Sequence, residues 1–303
     1  MLNNLAPVAI FAFNRLEHFS STIEALSKNE LAEDTLLYVF VDGPKSASDK
    51  RVVQKIIEYS EGISGFGKVF VKRREANVGL ARNIIDGVSE VVDKHKRVIV
   101  MEDDLVTSKY YLSYMNQALN KYFDCSKVWH ISGWSYPVGE HNDNGCFFWG
   151  GMNCWGWATW DDRWANFEKN PERLITEWGW KKRFKFNLWG ANDFFCQVRG
   201  NANRKISTWA IFWYATIFEN GGLCLSPKNS LVVNIGLDGS GDNCGGFNPF
   251  GERLSENLPD LPETLEVDTK LVRRIVVFYY RYKFSLFRRA WGRLMRLRCA
   301  RRG

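Results

Sequence analysis

The sequence lacks the usual marks of secreted, disulfide-bonded and membrane-spanning proteins. Its seven cysteines are an odd number with no C-x-x-C pair, which argues against a disulfide framework and favours a reducing cytoplasm. No apolar run is long enough for a membrane-spanning helix, so none is expected. The first residues, Met1-Leu2-Asn3-Asn4, carry no basic side chain, and a secretory leader is therefore not predicted.

Several motifs of nucleotide-binding and hydrolytic enzymes are also absent. The sequence contains no G-x-x-x-x-G-K-[ST] loop, no G-x-G-x-x-G after its first predicted strand and no G-x-S-x-G. The four histidines do not have the spacing of a metal site. These absences exclude a P-loop enzyme and argue against a dinucleotide-binding protein or a serine hydrolase.

Charged residues and tryptophan are unevenly distributed along the chain. Residues 270–303 contain twelve Lys and Arg and no Asp or Glu, which leaves 29 basic against 34 acidic residues in the rest of the chain. No tryptophan precedes Trp129, and twelve of the thirteen lie between Trp129 and Trp213. A nucleic-acid-binding domain would carry its positive charge on the folded body. The chain instead has an aliphatic N-terminal part, an aromatic middle and a basic end.

The N-terminal part alternates apolar runs with helical patterns. The runs, which predict strands, are 7–13 (PVAIFAF), 36–41 (LLYVFV), 68–72 and 97–101 (RVIVM); the helical patterns follow at 17–28, 52–59 and 78–94. This alternation predicts an α/β fold with a mostly parallel sheet flanked by helices. Ligands of such sheets bind beyond the carboxyl ends of the strands.

Three adjacent acids, Glu102-Asp103-Asp104, follow the fourth predicted strand. Neighbouring carboxylates repel one another and resist burial unless a cation or hydrogen-bond donors compensate them. Oxygen ligands of this kind suit Mg²⁺ or Mn²⁺ together with phosphate oxygens. The alternative is a structural role near the start of the next helix, although Thr107 and Ser108 are better candidates for its N-cap. We interpret the three acids as a metal and nucleotide site.

Two arginines could assist such a site. Arg15 follows the first strand, and Arg82 lies in the helix that Asn77-Val78-Gly79 precedes, so both could reach anionic oxygens. The alternative interpretation of each is an exposed arginine in the first turn of a helix, without a role in binding.

The basic end has helical periodicity. Its apolar stripe consists of Leu271, Ile275, Phe278, Tyr282, Leu286, Trp291 and Leu294. Arginines surround this stripe, a pattern typical of an amphipathic helix on an anionic membrane surface. Nucleic-acid contact and a terminal helix packed on the domain are the alternatives. The preceding stretch contains Pro249, Pro259 and Pro262 and is predicted to be a linker.

These motifs together resemble a glycosyltransferase of the GT-A fold, a Rossmann-like α/β fold. The matching blocks are FNR after strand one, the VDG turn, NVGLARN, VIVMEDD followed by Tyr110-Tyr111, VWHISGW, WGW, STWAI and NIG. They cover residues 7–245 in order. The group they resemble is that of N-acetylglucosaminyltransferase I, with its EDD form of the D-x-D metal motif, and in particular its bacterial members in surface-polysaccharide synthesis.

The resemblance implies a role for each matching residue. Asp104 would be the direct ligand of Mn²⁺ or Mg²⁺, while Asp103 and Glu102 would contact the ribose or donor sugar or orient the metal's waters. The other residues implied in binding the nucleotide sugar are Phe13, Asn14, Arg15, Asp42, Asn77 and Arg82. The implied reaction inverts the anomeric carbon by direct displacement, as a carboxylate deprotonates the acceptor hydroxyl.

The catalytic base is the point at which the sequence departs from the family pattern. Ala210, after Trp209, stands where the family has an acid, and it cannot accept a proton. Asp238 is the preferred substitute because glycines 236, 239 and 241 allow close backbone approach. An ordinary Asp-Gly turn is the alternative for this segment. Asp193 and Asp161, with its neighbour Asp162, are further candidates.

Tryptophan indoles stack on the apolar faces of sugar rings. Trp134, Trp155 and Trp157 are predicted to line the acceptor cleft. Core packing is the alternative for each of them, and the helical spacing of Trp160, Trp164, Trp209 and Trp213 favours it for those four.

We therefore predict a transferase domain at 1–248, divided into a nucleotide-binding half (1–106) and an acceptor half (107–248), then a linker at 249–269 and a membrane-associating tail at 270–303. The predicted function is transfer of a sugar from a nucleotide sugar, of the UDP-linked class, to a glycan or glycolipid acceptor, on the cytoplasmic face of the membrane. The alternatives are an inactive sugar-binding or scaffolding protein and a nucleotidyltransferase that makes sugar nucleotides. The missing glycine-rich signature on strand one argues against the latter, and the acidic body argues against a nucleic-acid-binding protein.

Overall fold

The computed structural model describes residues 5–139, 143–239 and 253–300, and the side chains of its last helix as far as residue 284. The strands are β1 (Val8–Ala12), β2 (Leu36–Val41), β3 (Lys68–Arg73), β4 (Arg97–Glu102), β5 (Leu105–Thr107), β6 (Val128–Ser132), β7 (Cys146–Trp149), β8 (Trp157–Trp160), β9 (Leu223–Pro227) and β10 (Val232–Asn234). The helices are α1 (Leu16–Ser27), α2 (Ala47–Glu61), α3 (Leu80–His95), α4 (Tyr111–Lys121), α5 (Asp161–Trp164), α6 (Pro171–Glu177), α7 (Trp180–Phe186), α8 (Phe195–Ala202), α9 (Ala210–Glu219) and α10 (Thr269–Ala300), with a 3-10 turn at Ala32–Asp34.

Eight strands form one sheet in the order β3-β2-β1-β4-β8-β6-β9-β7, and β5 pairs with β10 in a second, small sheet. The first four strands of the large sheet are parallel. Strand β8 runs antiparallel to both β4 and β6, so β6 points the same way as β4. The carboxyl ends of β1, β2, β4 and β6 therefore meet at one edge, which we call the carboxyl edge. The α/β class, the mostly parallel sheet and the C-terminal helix predicted from the sequence are confirmed.

The apolar strands are buried on both faces, as their continuous hydrophobic runs predict. In β1, Val8, Ile10 and Ala12 point into one hydrophobic core, while Ala9 and Phe11 point into the other. The two cores flank the sheet and fix its strands, and hence the loops at the carboxyl edge, in place.

Tryptophan builds much of the second core. Trp157 is fully buried and stacks on Trp209, with ring centroids 5.2 Å apart, and it also contacts Trp164 and Trp213. Trp160 is likewise fully buried, on the opposite face of the sheet. The four tryptophans assigned to the core from their spacing are thus all buried.

The predicted linker at 249–269 is not a free connection over its described part, 253–269. Its backbone forms bridges with β7 and the residue before it, pairing Asp260 with Gly145 and Val267 with Phe148. The hydroxyl of Tyr122 also donates to the carbonyl oxygen of Pro262 at 2.7 Å. These contacts attach the segment to the body of the protein.

The helix predicted to be a membrane-associating tail begins as part of the domain. Leu271 and Ile275, two residues of the predicted membrane stripe, are 4% and 0% exposed and belong to the second core. Phe278 packs against the same core, so the first half of the stripe is covered by protein. Leu286, Trp291 and Leu294 lie outside the described side chains. Among the described residues, no helix combines the length and apolarity needed to span a bilayer.

Candidate active site

The three acids lie at the carboxyl edge, where β4 ends. Asp103 and Asp104 are only 5% and 4% exposed. Burial raises the pKa of Glu102 to about 8, and the charges of Asp104 and Asp103 act in the same direction. Burial also raises the pKa of Asp103 to about 6, although Arg15 opposes this shift. The strand end therefore gathers more carboxyl groups than its protein surroundings stabilise in the ionised form.

Arg15, directly before α1, brings the end of β1 to these acids as the sequence predicts. Its guanidinium forms ion pairs with Asp103 and, at 2.9 Å, with Asp104 Oδ2. Burial alone would lower the pKa of Arg15, but the charges of the two carboxylates and its hydrogen bonds to them outweigh burial and raise it. The second terminal nitrogen, Nη1, is buried and has no hydrogen-bond partner among the described residues. One arginine thus compensates part of the charge and retains a donor for a ligand.

The segment after β10 closes over Asp104. Strand β10 pairs antiparallel with β5, and the amide of Ile235 then donates to the carbonyl oxygen of Asp104 at 2.9 Å. A Cβ added to Gly236 would overlap Asp104 Oδ2 and would lie 2.7 Å from Arg15 Nη1. The glycine expected to allow close approach to a substrate therefore allows close approach to the acid itself. Gly241 lies outside the described residues.

Asp42 anchors a loop. Its two carboxylate oxygens accept hydrogen bonds from the amides of Gly43, Val78 and Gly79 and from the side chain of Asn77, at 2.8–3.0 Å. These bonds tie the end of β2 to the start of α3. The predicted contact of Asp42 and Asn77 with the nucleotide stays a prediction, and the contacts seen are those of a loop anchor.

The remaining predicted donor residues are placed differently from one another. Phe13 contacts the acids through its backbone, which forms a hydrogen bond with Asp103. Asn14 donates to Asp49 at 3.2 Å, beside the same strand end. Arg82 has a 69% exposed side chain and pairs with Asp86 one helical turn later. The described contacts therefore bring Phe13 to the acids but do not bring Arg82 there.

A second feature of the carboxyl edge is an aromatic cavity of about 210 Å³. Its wall includes Trp134, which follows β6, and Trp155, which precedes β8, with the two ring centroids 4.8 Å apart. Strands β4 and β6 are separated only by β8, so the ends of these two strands, after which the acids and Trp134 follow, lie roughly 10 Å apart across the sheet. Trp157, predicted to line the same cleft, does not: it is completely buried between His130 and Trp209.

Several residues that line this cavity are not predicted from the sequence. The aromatic ones are Tyr136, Trp149, Tyr214 and Tyr279, and the polar ones are Asn153 and Gln197. Tyr279 comes from α10, and its hydroxyl is 2.6 Å from that of Tyr136. No local pattern indicates that the basic end of the chain folds back to complete a cavity in the aromatic middle.

The candidate bases occupy three different places. Asp238 lies two residues beyond Gly236, which lies against Asp104, and pairs with His18 at 3.2 Å. Asp193 pairs with Arg199 at 2.8 Å and precedes Phe194, which lines the cavity. Ala210 lines the cavity as well, so the position expected to hold an acid faces the cavity without a group that accepts a proton.

Asp161 is at the wrong end of the sheet. Because β8 is antiparallel to β4, Trp160 pairs with Arg97, at the amino end of β4. The amide of Asp161 donates to the carbonyl oxygen of Lys96, and its carboxylate pairs with Lys96 Nζ at 3.2 Å. The length of β4, about 17 Å, separates it from Glu102. Asp161, and Asp162 beside it, therefore cannot serve a site at the carboxyl edge.

The residues present fit a divalent cation held mainly by its substrate. No three His, Cys, Asp or Glu side chains within 5–139, 143–239 and 253–300 form a complete metal site. Mg²⁺, however, is commonly bound by one or two carboxylates, with waters and substrate phosphates completing its shell. The three clustered acids, whose ionisation a bound cation would favour, and the unpartnered Nη1 of Arg15 suit a cation and a diphosphate together.

Comparison with known proteins agrees with this arrangement at the level of the enzyme class. Residues 8–145, somewhat less than half of the chain, match the family model for glycosyl transferase family 2. This match confirms the predicted class, a glycosyltransferase. A search of curated protein sequences gives no match. The narrower resemblance to the N-acetylglucosaminyltransferase I group stays a prediction.

Several solved structures are similar to this one. S. aureus TarS has 11% sequence identity and a TM-score of 0.33 over 45% of this chain, which spans only 23% of that protein. The mannosyltransferase PcManGT from Pyrobaculum calidifontis, in complex with GDP-Man and Mn²⁺, has 8% identity and a TM-score of 0.37, covering 73% of this chain and 72% of that one. The galactosyltransferase LgtC, in complex with donor and acceptor sugar analogues, has 9% identity and a TM-score of 0.37, covering 72% of each chain.

Proposed function

We propose that the chain is a metal-dependent, inverting glycosyltransferase that moves a sugar from a nucleotide sugar, of the UDP-linked class, to a glycan or glycolipid acceptor of a cell-surface polysaccharide. The observation that supports this most is the pairing of Arg15 with Asp103 and Asp104 at the same sheet edge as the aromatic cavity. Anionic donor and sugar acceptor need these two environments side by side.

The donor half binds through charge. Asp104 would hold the divalent cation, which stabilises the departing diphosphate. Arg15 offers its free Nη1 to the same anionic group, while Asp103 and Glu102 offer carboxylate oxygens to the hydroxyls of the ribose or donor sugar. Phe13, Asn14 and the loop anchored by Asp42 lie at the neighbouring strand ends, where the base and ribose would bind.

Inversion needs a base for the acceptor hydroxyl. We assign this role to Asp238, because the chain runs from Gly236, in contact with Asp104, to Asp238 within two residues. As the acceptor oxygen bonds to the anomeric carbon, its proton passes to the Asp238 carboxylate. The bond between the anomeric carbon and the diphosphate oxygen breaks at the same time, and its electron pair leaves with the diphosphate. Asp193 is the second candidate, since it adjoins the cavity wall.

The acceptor half binds through ring faces. Trp134 and Trp155 present indoles to the cavity, and indoles pack against the apolar faces of sugar rings while polar groups such as Asn153 and Gln197 take the hydroxyls. A lipid-linked acceptor would require the protein to work at the cytoplasmic face of the membrane, with the basic residues of 270–303 near anionic lipid.

The test is hydrolysis and transfer of UDP-, GDP- and dTDP-sugars with Mn²⁺, Mg²⁺ or EDTA. We expect metal-dependent release of one nucleotide diphosphate, abolished in Asp104→Ala and retained in Asp161→Asn, a matched carboxylate at the far edge. Donor binding without turnover, even with a panel of acceptors, would instead favour the inactive sugar-binding protein that Ala210 suggests. Absence of donor binding under every condition would contradict the proposal.

A further inference from the structure

Five large aromatic side chains of α7, of the turn after it and of α10 are exposed together. They are Trp180 and Phe184 of α7 (73% and 48% exposed), Trp189 of the following turn (49%), and Tyr280 and Phe284 of α10 (50% and 63%). We call this surface the aromatic face. Isolated exposed apolar residues are common on folded proteins, but a contiguous group of this size marks an interaction surface.

Direct contacts hold the three elements of the aromatic face together. The hydroxyl of Tyr280 donates to the carbonyl oxygen of Trp189 at 3.2 Å, and Lys283 Nζ donates to that of Gly190 at 3.1 Å. The ring of Phe184 lies 3.2 Å from the position that a Cβ on Gly190 would occupy. The five side chains therefore belong to one rigid surface rather than to separate mobile segments.

The turn at the centre of the aromatic face has a strained backbone. Leu188 and Trp189 both have positive φ, 49° and 53°, a conformation rare for residues other than glycine. This conformation buries Leu188 (5% exposed) in the wall of the cavity while the next residue, Trp189, is held out in solvent. Strain of this kind persists where the surroundings enforce it, and here its result is an exposed indole.

Positive charge surrounds these aromatic side chains. The basic residues of α7 and of the described part of α10 are Lys181, Lys182, Arg183, Lys185, Lys270, Arg273, Arg274, Arg281 and Lys283, and these stretches contain no acid. Lys182 pairs with Glu219, and Arg183 donates to the carbonyl oxygen of Ile175. Lys181, Lys185 and Arg281 are exposed around the aromatic side chains.

We propose that the aromatic face docks on an anionic phospholipid bilayer, with its indoles and rings in the headgroup region and its lysines on lipid phosphates. Aromatic side chains with surrounding cations are the composition that the membrane interface selects. The proposal rests on the proposed function. It extends the membrane-binding surface from the C-terminal helix to α7 and the Leu188–Trp189 turn. Leu188 of the turn and Tyr279 of α10 line the cavity, and both elements carry part of the aromatic face, so docking would bring the cavity to the acceptor's lipid anchor.

The test is co-sedimentation of the full chain with vesicles of phosphatidylcholine alone or of equal parts phosphatidylcholine and phosphatidylglycerol. We expect binding to the anionic vesicles only. Trp180→Ala/Trp189→Ala should weaken this binding about tenfold, because two indoles leave the interface. Lys181→Glu/Lys185→Glu should weaken it by more than about tenfold, since each cation contributes about 1 kcal/mol near such a surface.

Matched variants elsewhere should bind as the wild type does. Phe123→Ala removes an aromatic ring of similar exposure (49%) beyond the carboxyl end of α4, and Lys50→Glu/Lys55→Glu changes two exposed lysines of α2. The proposal would be overturned if both double variants of the aromatic face bound the anionic vesicles as the wild type does. It would also be overturned if only Trp291→Ala lost vesicle binding, or if the protein bound duplex DNA and not the vesicles. Donor hydrolysis is measured separately in solution, so failure of the docking surface and failure of the proposed function can be distinguished.

Discussion

Two carboxylate environments in this protein are built in opposite ways. At the carboxyl edge, Glu102, Asp103 and Asp104 share one close cation, Arg15, and the pKa values of the first two are raised. At the end of α9, Glu219 alone accepts from Arg173, Trp178 and Lys182. These hydrogen bonds outweigh partial burial and lower the pKa of Glu219 to about 2.

This difference in pKa distinguishes carboxylates that are available to bind a ligand from a carboxylate that stabilises the fold. Carboxylates that gain more from partners than they lose on burial stabilise the folded state, as Glu219 does. Buried carboxylates left short of cations destabilise it, and such sites are typical of binding and catalysis. Substitutions in the two clusters should therefore have opposite profiles in activity and in stability.

The largest expected effect is that of Asp104→Asn on turnover. Loss of the proposed metal ligand should lower donor turnover about 10³-fold, the range seen when an electrostatic stabiliser of a transition state is removed. The urea midpoint should stay the same or rise, because residue 104 no longer opposes the ionisation of Glu102 and Asp103, while Arg15 keeps its ion pair with Asp103. Steady-state kinetics with Mn²⁺ measure the turnover, and urea unfolding at neutral pH in EDTA measures the stability. A variant that unfolds more easily and keeps its turnover would reverse the assignment of this cluster.

Gly236→Ala should have the next largest effect. The added Cβ would overlap Asp104 Oδ2 and crowd Arg15, so the acid and the 235–239 segment would have to move apart. A displacement of about 1 Å in such a site lowers turnover about 10²-fold. Gly179→Ala is the matched control, since nothing lies within 4 Å of a Cβ there. Equal activity of the two variants would mean that the segment does not have to lie against Asp104 for catalysis.

Trp155→Ala should separate the two halves of the site. With one wall of the cavity removed, the KM for the acceptor should rise about tenfold, an amount typical of a lost sugar-stacking indole. Donor hydrolysis in the absence of acceptor should not change, because the acids and Arg15 are untouched. The control is Trp189→Ala, which removes an exposed indole outside the cavity and should leave the KM for a soluble acceptor unchanged. A fall in donor hydrolysis in Trp155→Ala would show that the cavity belongs to the donor site.

The sequence predicts the meeting of Arg15 with the three acids well and the aromatic cavity poorly, for a physical reason. Buried parallel strands have continuous apolar runs whose ends are visible in the sequence, so the pattern alone brings Arg15 and Asp104 to one edge. The aromatic cavity is assembled from loops, α8, α9 and the distant Tyr279. Trp155 and Trp157 differ by two positions, yet one lines the cavity and the other is core. Likewise, Asp161 is excluded by the antiparallel direction of β8, which no local pattern indicates.

Glu219→Gln should give the smallest effect on activity and a clear effect on stability. The amide keeps the shape but removes the charge that pairs with Lys182 and with Arg173, and Arg173 keeps its ion pairs with Glu168 and Glu177. The expected cost is roughly 1 kcal/mol after allowance for solvent screening. Because the folded-state pKa of Glu219 lies below its usual value of 4.5, the contribution is complete above that value and is lost as the pH falls towards 2. Urea unfolding of both proteins across this range should show a constant difference at neutral pH that disappears in acid, while donor turnover changes less than about twofold. A difference that persists undiminished at low pH would mean that packing of the side chain, and not its charge, stabilises the end of α9.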